Sequence, residues 1–123
     1  MYANRYKLTE HDEQKRVIAW AEQMSLKWPA LKLLYAVPNM GKRTIGAAKY
    51  LIAEGMRKGV PDLVLPVPKN GYGALYIEMK RKGGRVAPEQ EAWRLALNKA
   101  GNLAVVCWSA DEAIKVLTEY LNG

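Results

Sequence analysis

The spacing of apolar residues along the chain predicts four helices. Thr9 precedes the first helix as an N-cap, and Pro29 ends it because the residue before a proline avoids the helical region. Gly59 is the expected stop of the second helix. The predicted helices cover residues 9–28, 44–58, 88–100 and 109–121.

Four apolar stretches between these helices are typical of strands. They cover residues 31–37, 61–67, 73–80 and 103–108. Asn70-Gly71 separates the middle two, and Asn-Gly between apolar stretches is a strong hairpin signal. Because helices and strands follow one another in the order α-β-α-β-β-α-β-α, we expect an α/β fold in which a mixed sheet is flanked by helices.

Composition limits the classes of protein to consider. With 123 residues, 50% of them hydrophobic, the chain is expected to form one domain over residues 1–123. The single cysteine, Cys107, excludes an intrachain disulfide and a Cys-based zinc site, and the single histidine, His11, excludes zinc enzymes that need several imidazoles. Since neither a membrane span nor a signal peptide is recognisable, we expect a reducing cytoplasm.

The charge balance indicates the kind of partner. Nineteen Lys and Arg residues against twelve Asp and Glu residues give a net charge of +7. Such an excess favours an acidic partner, most often nucleic acid. The basic residues are concentrated around the second helix and directly after the 73–80 strand. The candidate DNA-binding residues are Asn39, Lys42, Arg43, Arg81, Lys82 and Arg85.

The predicted hairpin brings two carboxylates together. If Asn70-Gly71 alone sets the register, Asp62 lies opposite Met79, whereas a one-residue change in loop size places it opposite Glu78. Either register leaves the two acids on adjacent strands, where opposite Cβ atoms are about 5 Å apart.

Two carboxylates this close repel each other unless a cation joins them. Oxygen ligands select hard ions such as Mg²⁺ or Mn²⁺, and a water held by such an ion is a candidate nucleophile against a phosphodiester. Because side chains alternate along a strand, Lys80 leaves on the same face as Glu78, and its ammonium would offset charge on phosphorus. A solvated hairpin with ordinary surface acids is the alternative that this spacing leaves open.

Five segments of the chain resemble a nuclease family. GVPDL at 59–63 and YIEMK at 76–80 resemble the PD-(D/E)xK nuclease signature. TEHDEQ at 9–14, VPNMGKR at 37–43 and PEQEAW at 88–93 lie where the virus-type replication-repair nuclease (VRR-NUC) family has its blocks. The likeness covers nearly the whole chain.

The resemblance implies a restriction-endonuclease-like core and DNA phosphodiester hydrolysis, with Mg²⁺ or Mn²⁺ as cofactor and no nucleotide cofactor. Small members of the family resemble homodimeric, structure-selective endonucleases similar to Holliday junction resolvases. Branched DNA and a second copy of the chain are therefore the expected partners, and a bacterial or phage-infected cell is the expected setting.

The resemblance also implies a set of site residues. The four catalytic positions carried over are an acid of the first helix, Asp62, Glu78 and Lys80, and Gln90 is a further catalytic candidate because of its own position in the chain. The expected metal ligands are Asp62, Glu78, the backbone carbonyl of Met79 and, through water, the first-helix acid. Gln90 falls in the first turn of its helix, where it can hydrogen-bond a phosphate or a metal-held water.

The first-helix acid has two candidates. Glu10 and Gln14 are four residues apart and share a helix face, and the family block has its acid four residues before the Gln. Glu10 is therefore the preferred assignment, with Glu13 as the alternative.

Two other functions stay open at this point. One is a basic DNA-binding module without catalysis, against which the intact set of Asp62, Glu78 and Lys80 argues. The other is a restriction-like or end-processing DNA nuclease. No sequence-reading domain is evident, which argues against the restriction-like nuclease.

Overall fold

The computed structural model of the protein describes residues 8–38 and 44–123. Within them lie the helices α1 (Glu10–Met24), α2 (Ile45–Ala53), α3 (Pro88–Lys99) and α4 (Ala110–Asn122). The strands are β1 (Tyr35–Ala36), β2 (Leu63–Leu65), β3 (Leu75–Met79) and β4 (Leu103–Cys107). A 3₁₀ helix, Pro29–Leu33, precedes β1. No helix among the described residues is long and apolar enough to cross a membrane.

The strands form one mixed sheet in the order β1-β2-β3-β4. β1 and β2 pair antiparallel, as do β2 and β3, whereas β3 and β4 pair parallel. The crossover from β3 to β4 contains α3, as a parallel connection requires. The predicted α/β fold, a mixed sheet flanked by helices, is confirmed.

One face of the sheet carries the main hydrophobic core. Leu63, Ile77 and Met79 alternate with outward residues along β2 and β3 and are at most 1% exposed. They pack against apolar side chains of α1 and α4, including Val17 and Leu117. Fully burying one such side chain stabilises a fold by roughly 1.5–3 kcal/mol. The opposite face, which carries Val64 and Tyr76, is left for α3 and for the site described below.

The hairpin turn forms as predicted. Asn70 (φ 54°) and Gly71 (φ 85°) both have positive φ, as the type I′ turn of a two-residue hairpin requires. Lys69 and Tyr72 face each other and exchange two backbone hydrogen bonds of 3.1 and 2.8 Å. The tip is therefore a tight turn.

The register farther along the hairpin differs from that of the turn. Leu63 pairs with Ile77, and continuing this ladder by one residue places Asp62 opposite Glu78. The β2 side of the hairpin thus contains one more residue than the β3 side, which is the signature of a β-bulge. Of the two registers that the sequence allowed, the structure has the one that places Asp62 opposite Glu78.

The predicted buried strand at 31–37 is wrong. Pro29 begins a 3₁₀ helix, since its fixed φ suits a first helical position, and the strand is limited to Tyr35–Ala36. Leu31 is buried, but Leu33 is 54% and Tyr35 51% exposed, so this apolar stretch is not a continuous core segment.

The second helix is shorter than predicted, and Gly59 is not its stop. α2 ends at Ala53, after which Gly55 (φ 110°) and Met56 donate to the carbonyls of Ile52 and Leu51 in a Schellman arrangement. Gly59 (φ 96°) has another role, because a Cβ there would lie 2.7 Å from the Glu89 backbone at the start of α3.

Candidate active site

Glu78 and Lys80 leave β3 on one face, as predicted. Glu78 is 4% and Lys80 6% exposed, and their Oε2 and Nζ atoms are 3.7 Å apart. Met79 points into the core on the other face, with no exposed surface. The ion pair is thus buried at the end of β3.

Asp62 is fixed across the hairpin from Glu78. It directly precedes β2, and its Oδ2 accepts a 2.7 Å hydrogen bond from the Met79 backbone amide. A carboxylate that accepts a backbone N–H at this distance is held firmly in orientation. The two acids therefore face the same space with little freedom to separate.

Gln90 ties the first turn of α3 to this space. Its Nε2 donates to Glu78 Oε2 at 3.0 Å, and its Oε1 accepts from the Ala87 amide at 2.8 Å. The Ala87 bond orients the amide group, so that its NH₂ faces the carboxylate. In this structure Gln90 therefore contacts Glu78 itself.

Glu78 has one oxygen with no partner among the described residues. Its Oε1 is buried and makes no hydrogen bond, whereas its Oε2 faces Gln90 and Lys80. Burial, aided by the charge of Asp62, raises the pKa of Glu78 to about 8. Burial likewise raises the pKa of Asp62, against the Met79 hydrogen bond that lowers it. A buried carboxylate that keeps one oxygen without a partner, as Glu78 does, is costly for folding and is typical of a site that receives a cation.

The first-helix acids have different surroundings. Glu10 lines a cavity of about 290 Å³ together with Asp62, and its charge raises the pKa of both Asp62 and Glu78. Glu13 instead accepts from the Ala110 amide at 2.9 Å and from Arg16 at 3.2 Å. Glu10 therefore lies towards the acid pair, whereas Glu13 is hydrogen-bonded to the start of α4.

The donors around the acid pair fit a hard cation. Within the described residues, no three His, Cys, Asp or Glu side chains form a group able to hold a metal ion. Two carboxylates, from Asp62 and Glu78, remain, and the free buried Oε1 of Glu78 is an acceptor without a donor. A Mg²⁺ or Mn²⁺ ion commonly takes few carboxylates and completes its shell with water, so this set suits such an ion.

The candidate DNA-binding residues divide into two groups. Arg81, Lys82 and Arg85 are exposed and follow Lys80 directly. Asn39, Lys42 and Arg43 lie outside the described residues. The turn at 81–84 lies near the acids, since a Cβ on Gly84 would be 3.7 Å from Glu10 Oε2.

Comparison with known proteins places the chain in a family. The family model described as the VRR-NUC domain matches residues 5–111. The chain belongs to the VRR-NUC family. VRR-NUC domains are nucleases of the PD-(D/E)xK superfamily, so the family implies nuclease activity and DNA binding. The relationship expected from the sequence motifs is confirmed.

A solved structure supports the same family. This VRR-NUC domain is similar to a VRR_NUC domain protein of 28% sequence identity, with a TM-score of 0.81 over 95% of this chain and 91% of that chain. No curated protein gives a significant match.

Sequence reasoning missed a second cavity beside the acids. Its aromatic lining comes from β1, β3 and α3, through Tyr35, Tyr76 and Trp93. No spacing along the chain links these three positions. Only the sheet register and the crossover helix bring them together.

Proposed function

We propose that this VRR-NUC domain is a divalent-metal-dependent DNA endonuclease that selects branched structures such as Holliday junctions and acts as a homodimer. One observation carries the proposal: Asp62 and Glu78 lie opposite each other, with Lys80 beside them and one buried Glu78 oxygen lacking any partner in the described residues.

The proposed metal ligands are those expected from the motif. Asp62 and Glu78 would hold the ion directly with the backbone carbonyl of Met79, and Glu10 would contact it through water. The carboxylates are already oriented by the Met79 amide and by Gln90. When bound, a Mg²⁺ or Mn²⁺ ion supplies Lewis-acid polarisation of the scissile phosphate.

Three side chains have proposed roles of their own. Lys80 places a buried positive charge near Glu78, where it stabilises negative charge that develops on phosphorus. Gln90 fixes the Glu78 carboxylate through a 3.0 Å hydrogen bond and keeps it oriented to hold the ion. Glu10, which lines the cavity with Asp62, accepts a hydrogen bond from the attacking water.

The proposed DNA contacts follow the basic residues that flank these acids. Arg81, Lys82 and Arg85 are exposed beside the site and would bind phosphates of the DNA backbone. Asn39, Lys42 and Arg43 are proposed to do the same on the basis of their position in the motif. Each neutralised phosphate adds about one unit to the slope of log affinity against log salt.

The homodimer is supported by the surface of α2. Ile45 is 78%, Tyr50 69% and Ile52 46% exposed, and α2 has no buried residue. Exposed apolar groups on one element are typical of an interface. A two-fold dimer would present two acid pairs, as two symmetric cuts in a junction require.

A cleavage assay tests the activity. Purified protein is incubated with a four-way junction, a flap, a single-stranded end and a linear duplex, each with Mg²⁺, Mn²⁺ or EDTA. We expect metal-dependent cuts, fastest on the branched DNA, that disappear in Asp62→Asn and persist in the exposed control Asp111→Asn. Binding without cutting in every condition would mean a non-catalytic module. Preference for ends or flaps over junctions would mean an end-processing nuclease.

Light scattering at micromolar concentration tests the dimer. We expect Ile45→Asp to yield monomers, and Leu26→Asp, at an 89% exposed apolar position in the segment after α1, to leave the mass unchanged. A monomeric wild-type protein would contradict the homodimer.

A further inference from the structure

The second cavity lies on the same face of the sheet as the acid pair. It has a volume of about 390 Å³, and its floor includes Val64 and Tyr76, which alternate along β2 and β3 with the inward residues of the core. Asp62 and Glu78 lie two positions farther along the same two strands. The cavity is thus a neighbour of the proposed reaction site.

The two cavities share a wall. Val37 and Pro38 line both of them, and Pro61 lines the second cavity while the next residue, Asp62, lines the first. A DNA strand whose phosphate lies at Asp62 would therefore have a neighbouring nucleotide close to the second cavity.

The lining has the chemistry of a nucleobase site. Tyr35, Tyr76 and Trp93 contribute aromatic surface from three elements, and bases stack on such rings whatever their sequence. Among the described lining residues Arg57 is the one charged side chain, and the Ile52 and Met56 carbonyls accept hydrogen bonds from it at 3.2 Å. A lining with one arginine and no carboxylate suits a ligand attached to a phosphate backbone. The volume falls among ordinary ligand pockets, about 300–1,000 Å³.

We propose that this apolar cavity binds one unpaired nucleobase of the DNA adjacent to the cleaved phosphate. The inference rests on the proposed function and names what the enzyme recognises, namely a base that has left the double helix. Removing a paired base from the duplex costs unstacking and unpairing energy, whereas flaps and bulges offer unpaired bases and a branch point interrupts stacking, so their bases enter at a lower cost. The cavity would then contribute to the selection of branched DNA over plain duplex.

Binding in EDTA tests the inference without cleavage. The probes are a duplex with one bulged 2-aminopurine and the same duplex with that base paired. We expect the bulged DNA to bind about 5- to 100-fold more tightly, which is the range of one base–aromatic stack, with quenched 2-aminopurine fluorescence. Leu97→Glu places a charge in the cavity and should abolish both effects. Leu95→Glu, two residues away on α3 and 54% exposed, should retain them.

A second variant covers the case in which Leu97→Glu does not fold. Tyr35→Ser removes an aromatic ring that is 51% exposed, and it should also abolish the preference. Equal affinity for both duplexes, or a preference that survives Tyr35→Ser, would overturn the inference. It would also be overturned if either variant turned a dimer into monomers, because the occupant would then be a second copy. Base preference in a protein that cuts no DNA would support this inference and defeat only the proposed nuclease activity.

Discussion

Two buried glutamates of this VRR-NUC domain have opposite surroundings. Glu13 in α1 is 8% exposed, and its Oε1 accepts from the Ala110 amide and from Arg16. Glu78 in β3 is 4% exposed, faces Asp62 and keeps one oxygen with no partner in the described residues. Burial raises the pKa of Glu78 to about 8.

The difference separates a structural acid from a functional one. Glu13 joins the N-terminus of α4 to α1, where the helix dipole favours a negative charge. Glu78 keeps one buried oxygen that no described residue satisfies, although Gln90 and Lys80 contact its other oxygen, so its retention is explained by a ligand that binds there. Burial alone would not have distinguished the two.

The largest expected effect comes from removing the charge of Glu78. Glu78→Gln should lower the single-turnover cleavage rate on a four-way junction by about 10³-fold, as expected for loss of a group that organises the reacting charges. Above pH 8, where the wild-type Glu78 is mostly charged, the melting temperature of Glu78→Gln without metal should equal or exceed that of wild type, because repulsion with Asp62 is relieved. The matched variant Glu13→Gln should cut at the wild-type rate. An equal loss of cleavage rate in both variants would contradict the assignment of Glu78 as functional and Glu13 as structural.

Substitution of Gln90, which hydrogen-bonds Glu78, should have a smaller effect. Gln90→Ala removes the 3.0 Å hydrogen bond to Glu78 and should reduce activity or Mn²⁺ affinity by about 10- to 100-fold, as for other residues that orient metal ligands. Titration of Mn²⁺ by calorimetry measures it, with Gln23→Ala, at an exposed position on α1, as control. Unchanged Mn²⁺ affinity together with unchanged cleavage would show that Gln90 does not position Glu78.

Glu13 should matter for stability instead. Glu13→Gln weakens a charge-assisted hydrogen bond to Ala110 and the pair with Arg16, which should lower the free energy of unfolding by about 1 kcal/mol. Urea denaturation measures the loss, and Glu22→Gln on the exposed side of α1 is the control. A Glu13→Gln protein as stable as wild type would contradict the structural role.

The pH dependence of stability should distinguish the two acids most finely. The pKa of Glu78 rises on folding from 4.5 to about 8, so the folded state binds more protons between these values. Stability without metal should therefore fall as the pH rises through this window. Melting temperatures in EDTA should show a shallower fall in Glu78→Gln and a wild-type fall in Glu13→Gln. The same slope in all three proteins would contradict the assignment.

Local signals in the sequence predicted local structure well. Asn70-Gly71 predicted the turn because both positions need positive φ, and Thr9 predicted the start of α1, where it forms a capping box with Asp12. The hairpin register at Asp62 stayed open because it depends on a bulge that no turn residue announces. The apolar stretch at 31–37 was misassigned because its composition does not reveal which of its side chains the sheet covers.

In the candidate site, too, the sequence predicted local geometry but not the contacts between distant segments. Alternation along β3 correctly put Glu78 and Lys80 on one face. Helix spacing and the family block favoured Glu10 over Glu13, but the contact that occupies Glu13 is with Ala110, 97 residues away in the chain, and no local spacing predicts it. The bond from Gln90 to Glu78 likewise depends on where α3 docks against the sheet.

A crystal structure of the protein soaked in Mn²⁺ would show directly whether the acid pair holds a metal ion. We expect an anomalous peak bonded to Asp62 and to Glu78 Oε1, with Lys80 on the same side. Saturating Mn²⁺ that leaves Glu78 Oε1 without a partner, or that binds only at other acids, would contradict this expectation.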